Sequence, residues 1–187
     1  MSGDNCLWLI RHAPVAGPMG VIHDSDARAD TSDDQAFAAL RARLPVGAAP
    51  FASPSVRTLE TAAALGLRPT AEPDFCEQNF GDWTGRRHDD LAGELGAAYR
   101  DFWRTPANSK PPGGESFADQ ILRVRDGLGR LPAGDVVLVV HSGTVRAALA
   151  IALEIAPEPA LRFAIGPLSL TRIDRLTSGW RVVCVNC

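Results

Sequence analysis

Four short stretches of this chain carry side chains able to handle a charged ligand. Arg11 and His12 stand directly after the apolar run Cys6–Ile10, in LWLIRHAP. His141 and Ser142 stand directly after the β-branched run Asp135–Val140, in DVVLVVHSGTVR. Arg57 follows a Ser-Pro turn in FASPSVRTLETAAALG, and Glu77 sits among Phe75, Phe80 and Trp83 in FCEQNFGDWTG. Guanidinium forks match the oxygens of a phosphate or carboxylate, and imidazole adds a further donor or a nucleophile. An arginine in the first turn of a helix opposes the helix dipole, a small penalty that an anion bound there offsets. A carboxyl among aromatic rings favours its neutral, proton-donating form. The chemistry these residues could share is the binding and conversion of an anion.

Such residues meet only if the fold carries them to one place. The two continuous apolar runs, Cys6–Ile10 and Asp135–Val140, predict strands buried on both faces. Shorter strands are expected at Ala49–Ala52, Thr70–Phe75, Ser169–Asp174 and Trp180–Val185, the last two forming a terminal hairpin around RLTSG. Helical spacing is found over Asp33–Leu44, Ser55–Leu65 (ending at Gly66), Arg87–Trp103, Ser116–Leu131 and Thr144–Ile155. Ser116 with Asp119 resembles a capping box. Alternating strands and helices predict an α/β fold: a three-layer αβα sandwich with a mostly parallel central sheet and helices on both faces. Ligands of open α/β sheets bind beyond the carboxyl ends of the strands, where His12 and His141 stand. The long loop Arg104–Ser116 is a further place for function.

Composition bounds the partners. At 187 residues the chain predicts one domain, 1–187, with a small helical cap roughly over 76–115. Net charge is −3 and pI about 5.8, which argues against a broad nucleic-acid or anionic-membrane footprint, so an anion site must be local. Cys6, Cys76, Cys184 and Cys187 show no zinc spacing and are expected as reduced thiols; a strand would place Cys184 and Cys187 on opposite faces. The start, MSGDNCLWLI, lacks a basic leader, and no apolar run is long enough to span a bilayer, so a cytoplasmic protein is expected. No cluster of carboxylates is spaced for magnesium, and neither a metal nor another cofactor is expected.

Taken in order, RH at 11–12, SPSVRTLETA at 53–62, EQNFGDWTG at 77–85 and HSGTVR at 141–146 resemble the histidine phosphatase superfamily, also called phosphoglycerate mutase-like. The proline in RHAP and the stretch GGESF, Gly113–Phe117, look like the α-ribazole phosphatase branch. VIHDSD, Val21–Asp26, departs from that branch, which often has a tyrosine and a glycine there. The resemblance implies a metal-independent phosphatase for a small phosphorylated metabolite, α-ribazole 5′-phosphate being the named candidate. His12 is then the nucleophile, Glu77 the acid, and His141 a catalytic and phosphate-binding residue. Arg11, Arg57 and Ser142 join it on the phosphate, with backbone N–H groups near residues 142–144 assisting. His23 is a candidate for substrate specificity, Arg146 is read as structural, and His88 and Trp103 as parts of the cap.

Three alternatives stand beside this reading, one of them a protein phosphohistidine phosphatase, whose members look shorter and lack the acid-bearing ExxFGxW segment present here. A mutase would return the phosphoryl group to substrate, though mutases of the family resemble longer chains. A catalytically idle regulatory domain would lack a site residue, whereas all five are present. A homodimer is compatible with the sequence.

Overall fold

The computed structural model describes residues 4–187; Met1–Gly3, the first part of the stretch read for a leader, lie outside the described residues. Six strands form one sheet: β1 (Asn5–Arg11), β2 (Ala49–Ala52), β3 (Thr70–Ala71), β4 (Gly134–Val140), β5 (Leu170–Leu176) and β6 (Gly179–Cys184). Their spatial order is β3-β2-β4-β1-β5-β6. The first four positions are parallel, and β5 and β6 run antiparallel as an edge hairpin.

The helices are α1 (Asp34–Arg41), α2 (Val56–Ala64), α3 (His88–Leu95), α4 (Ala97–Arg104), α5 (Phe117–Gly129), α6 (Ser142–Leu153) and the short α7 (Pro157–Ala160). Side-chain alternation along β1 and β4 sorts them into layers. Leu7, Leu9, Val136, Leu138 and Val140 pack with Phe117, Ile121 and Val124 of α5 and Val145 and Leu149 of α6. Ile10, Val137 and Val139, flanked by Trp8, pack on the other face with Phe37 and Leu40 of α1 and Ala62 beside α2's end. Both faces of the central strands are therefore covered, which is why their sequences read as unbroken apolar runs.

A third cluster stands apart from the sheet. Ile22, Trp83, Leu91, Tyr99 and Phe102 bury one another, with Phe80 and Leu95 against them. The helix expected over Arg87–Trp103 is two helices here. Gly96, at φ 54° and ψ −111°, ends α3 and starts α4 at an angle that side-chain-bearing residues avoid. The strand expected over Thr70–Phe75 shrinks to Thr70–Ala71, because Pro73 opens a 3₁₀ turn over Pro73–Phe75. The capping box at Ser116 and Asp119 is formed in both directions.

The cysteines differ from expectation. Cys184 and Cys187 are a disulfide with Cα atoms 6.5 Å apart, while Cys6 and Cys76 are free. The alternation argument fails because β6 ends at Cys184. Asn186 then takes φ 55°, and the chain folds back so that Cys187 pairs with Leu170 through both backbone groups. Among the described residues no helix is long and apolar enough to cross a membrane.

Leu138 lies at the centre of the sheet and is fully buried. Leu138→Ala is expected to cost about 2–5 kcal/mol. It should lower the urea midpoint without changing the slope of the transition.

Candidate active site

The register of the sheet builds the site. Arg11 pairs with Val140 across the parallel β1–β4 ladder, so His12 and His141 leave the two strands side by side. His12 N donates to Val140 O at 2.9 Å. β2 ends one step along, and Ser53 N donates to Val139 O at 3.2 Å. Three neighbouring strands thus deliver Ser53, His141 and His12 to one edge. The two imidazoles meet edge to face with ring centroids 5.1 Å apart.

Each ring is held differently. His12 Nδ1 lies 2.7 Å from the carbonyl of Ala13, which can only accept, so Nδ1 carries the proton. Nε2 therefore keeps its lone pair, and Arg57 Nε donates to it at 3.3 Å. Burial, reinforced by the charges of Arg57 and Arg11, lowers the His12 pKa to about 4. His141 is fully buried and its pKa lies well below the usual imidazole value, chiefly for the same reason. His141 Nε2 is 2.9 Å from Ser53 Oγ, and its Nδ1 has no protein partner.

The guanidiniums are aimed by carbonyls. Arg11 Nη1 donates to Ile165 O at 2.6 Å, leaving a buried Nε without a partner. Arg57, in the first turn of α2, donates through Nη1 to Asp24 O at 2.5 Å. Among the described residues neither forms an ion pair with a carboxylate. Burial lowers the pKa of both. The Ile165 loop is itself clasped, since Gly166 N donates to Asn186 Oδ1 at 2.6 Å.

Glu77 closes the other side. Its Oε2 accepts from Gly143 N and Ser142 Oγ, each at 3.3 Å, and thereby caps α6. Its Oε1 accepts from Gln120 Nε2 at 3.2 Å. Arg123 holds the backbone around it, donating to the carbonyls of Asp74, Cys76 and Glu77 while pairing with Glu115. A Cβ on Gly143 would overlap Glu77 Oε1 and lie 2.8 Å from Gln120 Oε1, so this position has room only for hydrogen.

A cavity of about 580 Å³ opens over these groups, lined by Arg11, His12, His23, Arg57, Glu77 and Ser142 among others. His141 lies beneath it, against His12. His23 stands on its rim, where burial and Arg57 lower its pKa. Ser142 and Gly143, expected to face an anion, direct their donors at Glu77 instead. Loop 104–116 is tied to the Glu77 segment: Asp82 N donates to Pro112 O, and Glu115 N to Asn79 O, both at 2.9 Å. Arg146 anchors the Phe163 carbonyl through Nε at 2.9 Å. His88 Nδ1 is 2.5 Å from Tyr99 Oη in the helical cluster.

Sequence reasoning gave no role to Ser53, Gln120 or Arg123. Gln120 had a signal: it interrupts the apolar face formed by Phe117, Ile121 and Val124, and a buried polar residue on such a face needs a partner. Ser53 directly follows a strand, as the two histidines do. Arg123 had no signal, because its partners are three backbone carbonyls and Glu115, all brought to it by the fold.

The chain belongs to the histidine phosphatase superfamily (branch 1), whose family model matches residues 7–187. A mycobacterial glucosyl-3-phosphoglycerate phosphatase is similar in structure, with a TM-score of 0.83 and 25% identity over 98% of this chain and 99% of that one. The α-ribazole phosphatase of Shigella flexneri shares the fold at a TM-score of 0.86 and 22% identity, over 97% of this chain and 96% of the other. In sequence, a 2,3-bisphosphoglycerate-dependent phosphoglycerate mutase of Azorhizobium caulinodans is 30% identical over 110 residues, covering 56% of this chain and 53% of the mutase. The chain spans about half the length, or less, of the curated relatives it matches.

A proton titration of the His12 ring followed by NMR should show a midpoint near 4 in the ligand-free protein. The unfolded ring titrates near ~6.5. The unfolded chain therefore binds more protons between these values. The His12 contribution to stability is complete above pH ~6.5 and declines as pH falls towards 4. A midpoint at the ordinary imidazole value would contradict the burial described.

Proposed function

We propose that this protein is a metal-independent phosphatase that hydrolyses a small phosphomonoester through a phosphohistidine at His12 Nε2. The observation that carries the reading is a neutral, buried imidazole of fixed tautomer, with two guanidiniums beside it that pair with no carboxylate among the described residues. The unpartnered Arg11 Nε supports it, since a buried donor without a partner is what a preformed oxyanion cradle presents.

The incoming phosphoryl group takes over the Arg57 contact, freeing the Nε2 lone pair. Nε2 then forms a bond to phosphorus as the ester P–O bond breaks, and Glu77 gives its proton to the leaving oxygen. Glu77 next takes a proton from water as that oxygen attacks phosphorus. The P–N bond breaks, its electron pair returns to Nε2, and inorganic phosphate departs. Nδ1 keeps its proton throughout, so the positive charge on the phosphorylated ring faces the Ala13 carbonyl. Arg11, Arg57 and His141 stabilise the equatorial oxygens as the group flattens.

RHAP and GGESF favour α-ribazole 5′-phosphate as the substrate to test first. The mycobacterial relative makes glucosyl-3-phosphoglycerate the second. Similarity to phosphoglycerate mutases favours one other reading, return of the phosphoryl group to a phosphoglycerate.

His12→Ala should reduce turnover of any ester by about 10³-fold or more. Wild-type protein quenched during turnover of a labelled ester should carry an acid-labile, base-stable phosphoryl group. Activity should persist after dialysis against a chelator. A wild type inert towards all esters points to an idle domain, and exchange between phosphoglycerates that outruns hydrolysis points to a mutase.

Glu77→Gln should slow alkyl esters by about 10²–10⁴-fold and p-nitrophenyl phosphate far less, because a good leaving group needs little protonation. Gly143→Ala should reproduce part of that selective loss with the fold intact by circular dichroism, since the added methyl displaces the Glu77 carboxylate. Equal losses on both ester types would remove Glu77 from the acid role.

A further inference from the structure

A second cavity, of about 360 Å³, adjoins the first and shares Glu77, Gln78, Phe80, Trp103 and Ser142 with it. It touches neither His12, Arg11 nor Arg57. Seen from His12 it therefore lies past the proposed acid, on the side to which a leaving group departs. Its own walls are mostly apolar: Phe102, Pro106, Phe117 and Leu161, with Phe80 and Trp103 at the shared mouth. One cation interrupts them, Arg146 of α6.

The guanidinium is half-buried and opens onto this cavity. Its single protein acceptor is the Phe163 carbonyl, taken by Nε. Among the described residues its two terminal nitrogens have no acceptor and no carboxylate pairs with it. Burial lowers its pKa, opposed in part by the charge of Glu77 on the same cavity. Holding Phe163 needs one N–H; it does not explain an unpaired fork against an apolar cavity. The transferring phosphoryl group is also not its ligand, because Arg11 and Arg57 serve the first cavity and Arg146 does not line it.

We propose that the second cavity is a leaving-group subsite for an alcohol with an apolar, ring-sized body and a carboxylate or similar oxyanion beyond it, the ring lying against Phe80 and Trp103 and the anion pairing with Arg146. This deepens the phosphatase reading and rests on it. It narrows the substrate class to phosphomonoesters that carry a second negative group remote from the phosphorus. The shared position of Glu77 sets the order along the substrate: phosphoryl group, scissile oxygen beside Glu77, ring, then anion.

The test compares 4-(carboxymethyl)phenyl phosphate with its primary amide, a pair matched in size and leaving-group quality. Both are assayed with wild type, Arg146→Lys and Arg146→Met. Wild type should prefer the carboxylate by about tenfold in kcat/KM, mostly through KM, which is the scale of one well-placed charge pair. The preference should fall to about one in Arg146→Met and survive in part in Arg146→Lys. A residue that only props the Phe163 loop would slow both esters alike and leave the ratio untouched, which overturns the proposal, as does a wild-type ratio near one. Turnover of the amide by wild type separately tests the phosphatase reading. If both esters are inert, that reading fails, and calorimetric binding of the two esters decides the subsite. Tighter binding of the carboxylate that is lost in Arg146→Met upholds it, and equal binding sinks it.

Discussion

In a parallel ladder the hydrogen bonds are evenly spaced, so two strands in register release their following residues at one level. β1 and β4 are aligned from Asn5 opposite Gly134 to Arg11 opposite Val140, and β2 joins the same edge through Ala52 opposite Val139. Residues more than a hundred positions apart become neighbours by this alignment alone. A shift of one residue in β1 would turn His12 to the other face of the sheet and part it from His141. The buried alternation of Leu7, Leu9 and Ile10 guards against such a shift, since it would also exchange core for core on both sides. The packing of the two cores and the geometry of the site are therefore one constraint.

The electrostatics follow from the same burial. Arg11, Arg57 and Arg146 are held by carbonyl groups rather than by carboxylates. A carbonyl orients a guanidinium without neutralising it, so each keeps its charge for a ligand. The loss of water, reinforced by the charges of Arg57 and Arg11, holds both histidines neutral. A chain with net charge −3 thus contains a small, strongly positive interior. Among the described residues Asp24 and Glu77 are the carboxylates that line its cavity, and Glu77 satisfies the amino end of α6 while it stands there.

Much of this was legible in the residues. The unbroken apolar runs at Cys6–Ile10 and Asp135–Val140 specify the two central strands, and the polar residues after them mark the ligand edge. Gly66 and the Ser116 cap mark helix ends. What escaped was decided by contacts between elements or by single backbone torsions. Helical spacing over Arg87–Trp103 is genuine, yet the torsions of Gly96 divide it. The β-like residues after Thr70 yield to Pro73. Cys184 and Cys187 were judged as if the strand continued, whereas the chain turns at Asn186. The support that Gln120, Arg123 and Ser53 give to the site is tertiary, and only Gln120, on its helix face, and Ser53, after its strand, left a mark in the local pattern.

The clasp that follows β6 reaches the Arg11 side of the cleft. Asn186 fixes Gly166, and the carbonyl just before it, Ile165, aims the guanidinium of Arg11 across 154 positions of chain. The loop is further pinned where Leu170 and Cys187 exchange backbone bonds. A guanidinium on β1 thus takes its bearing from a segment beyond β6. A chain that has folded its central sheet but not β5 and β6 would keep Arg57 beside His12 and leave Arg11 without the carbonyl that aims it. The bearing of that guanidinium would then wait on the docking of the hairpin.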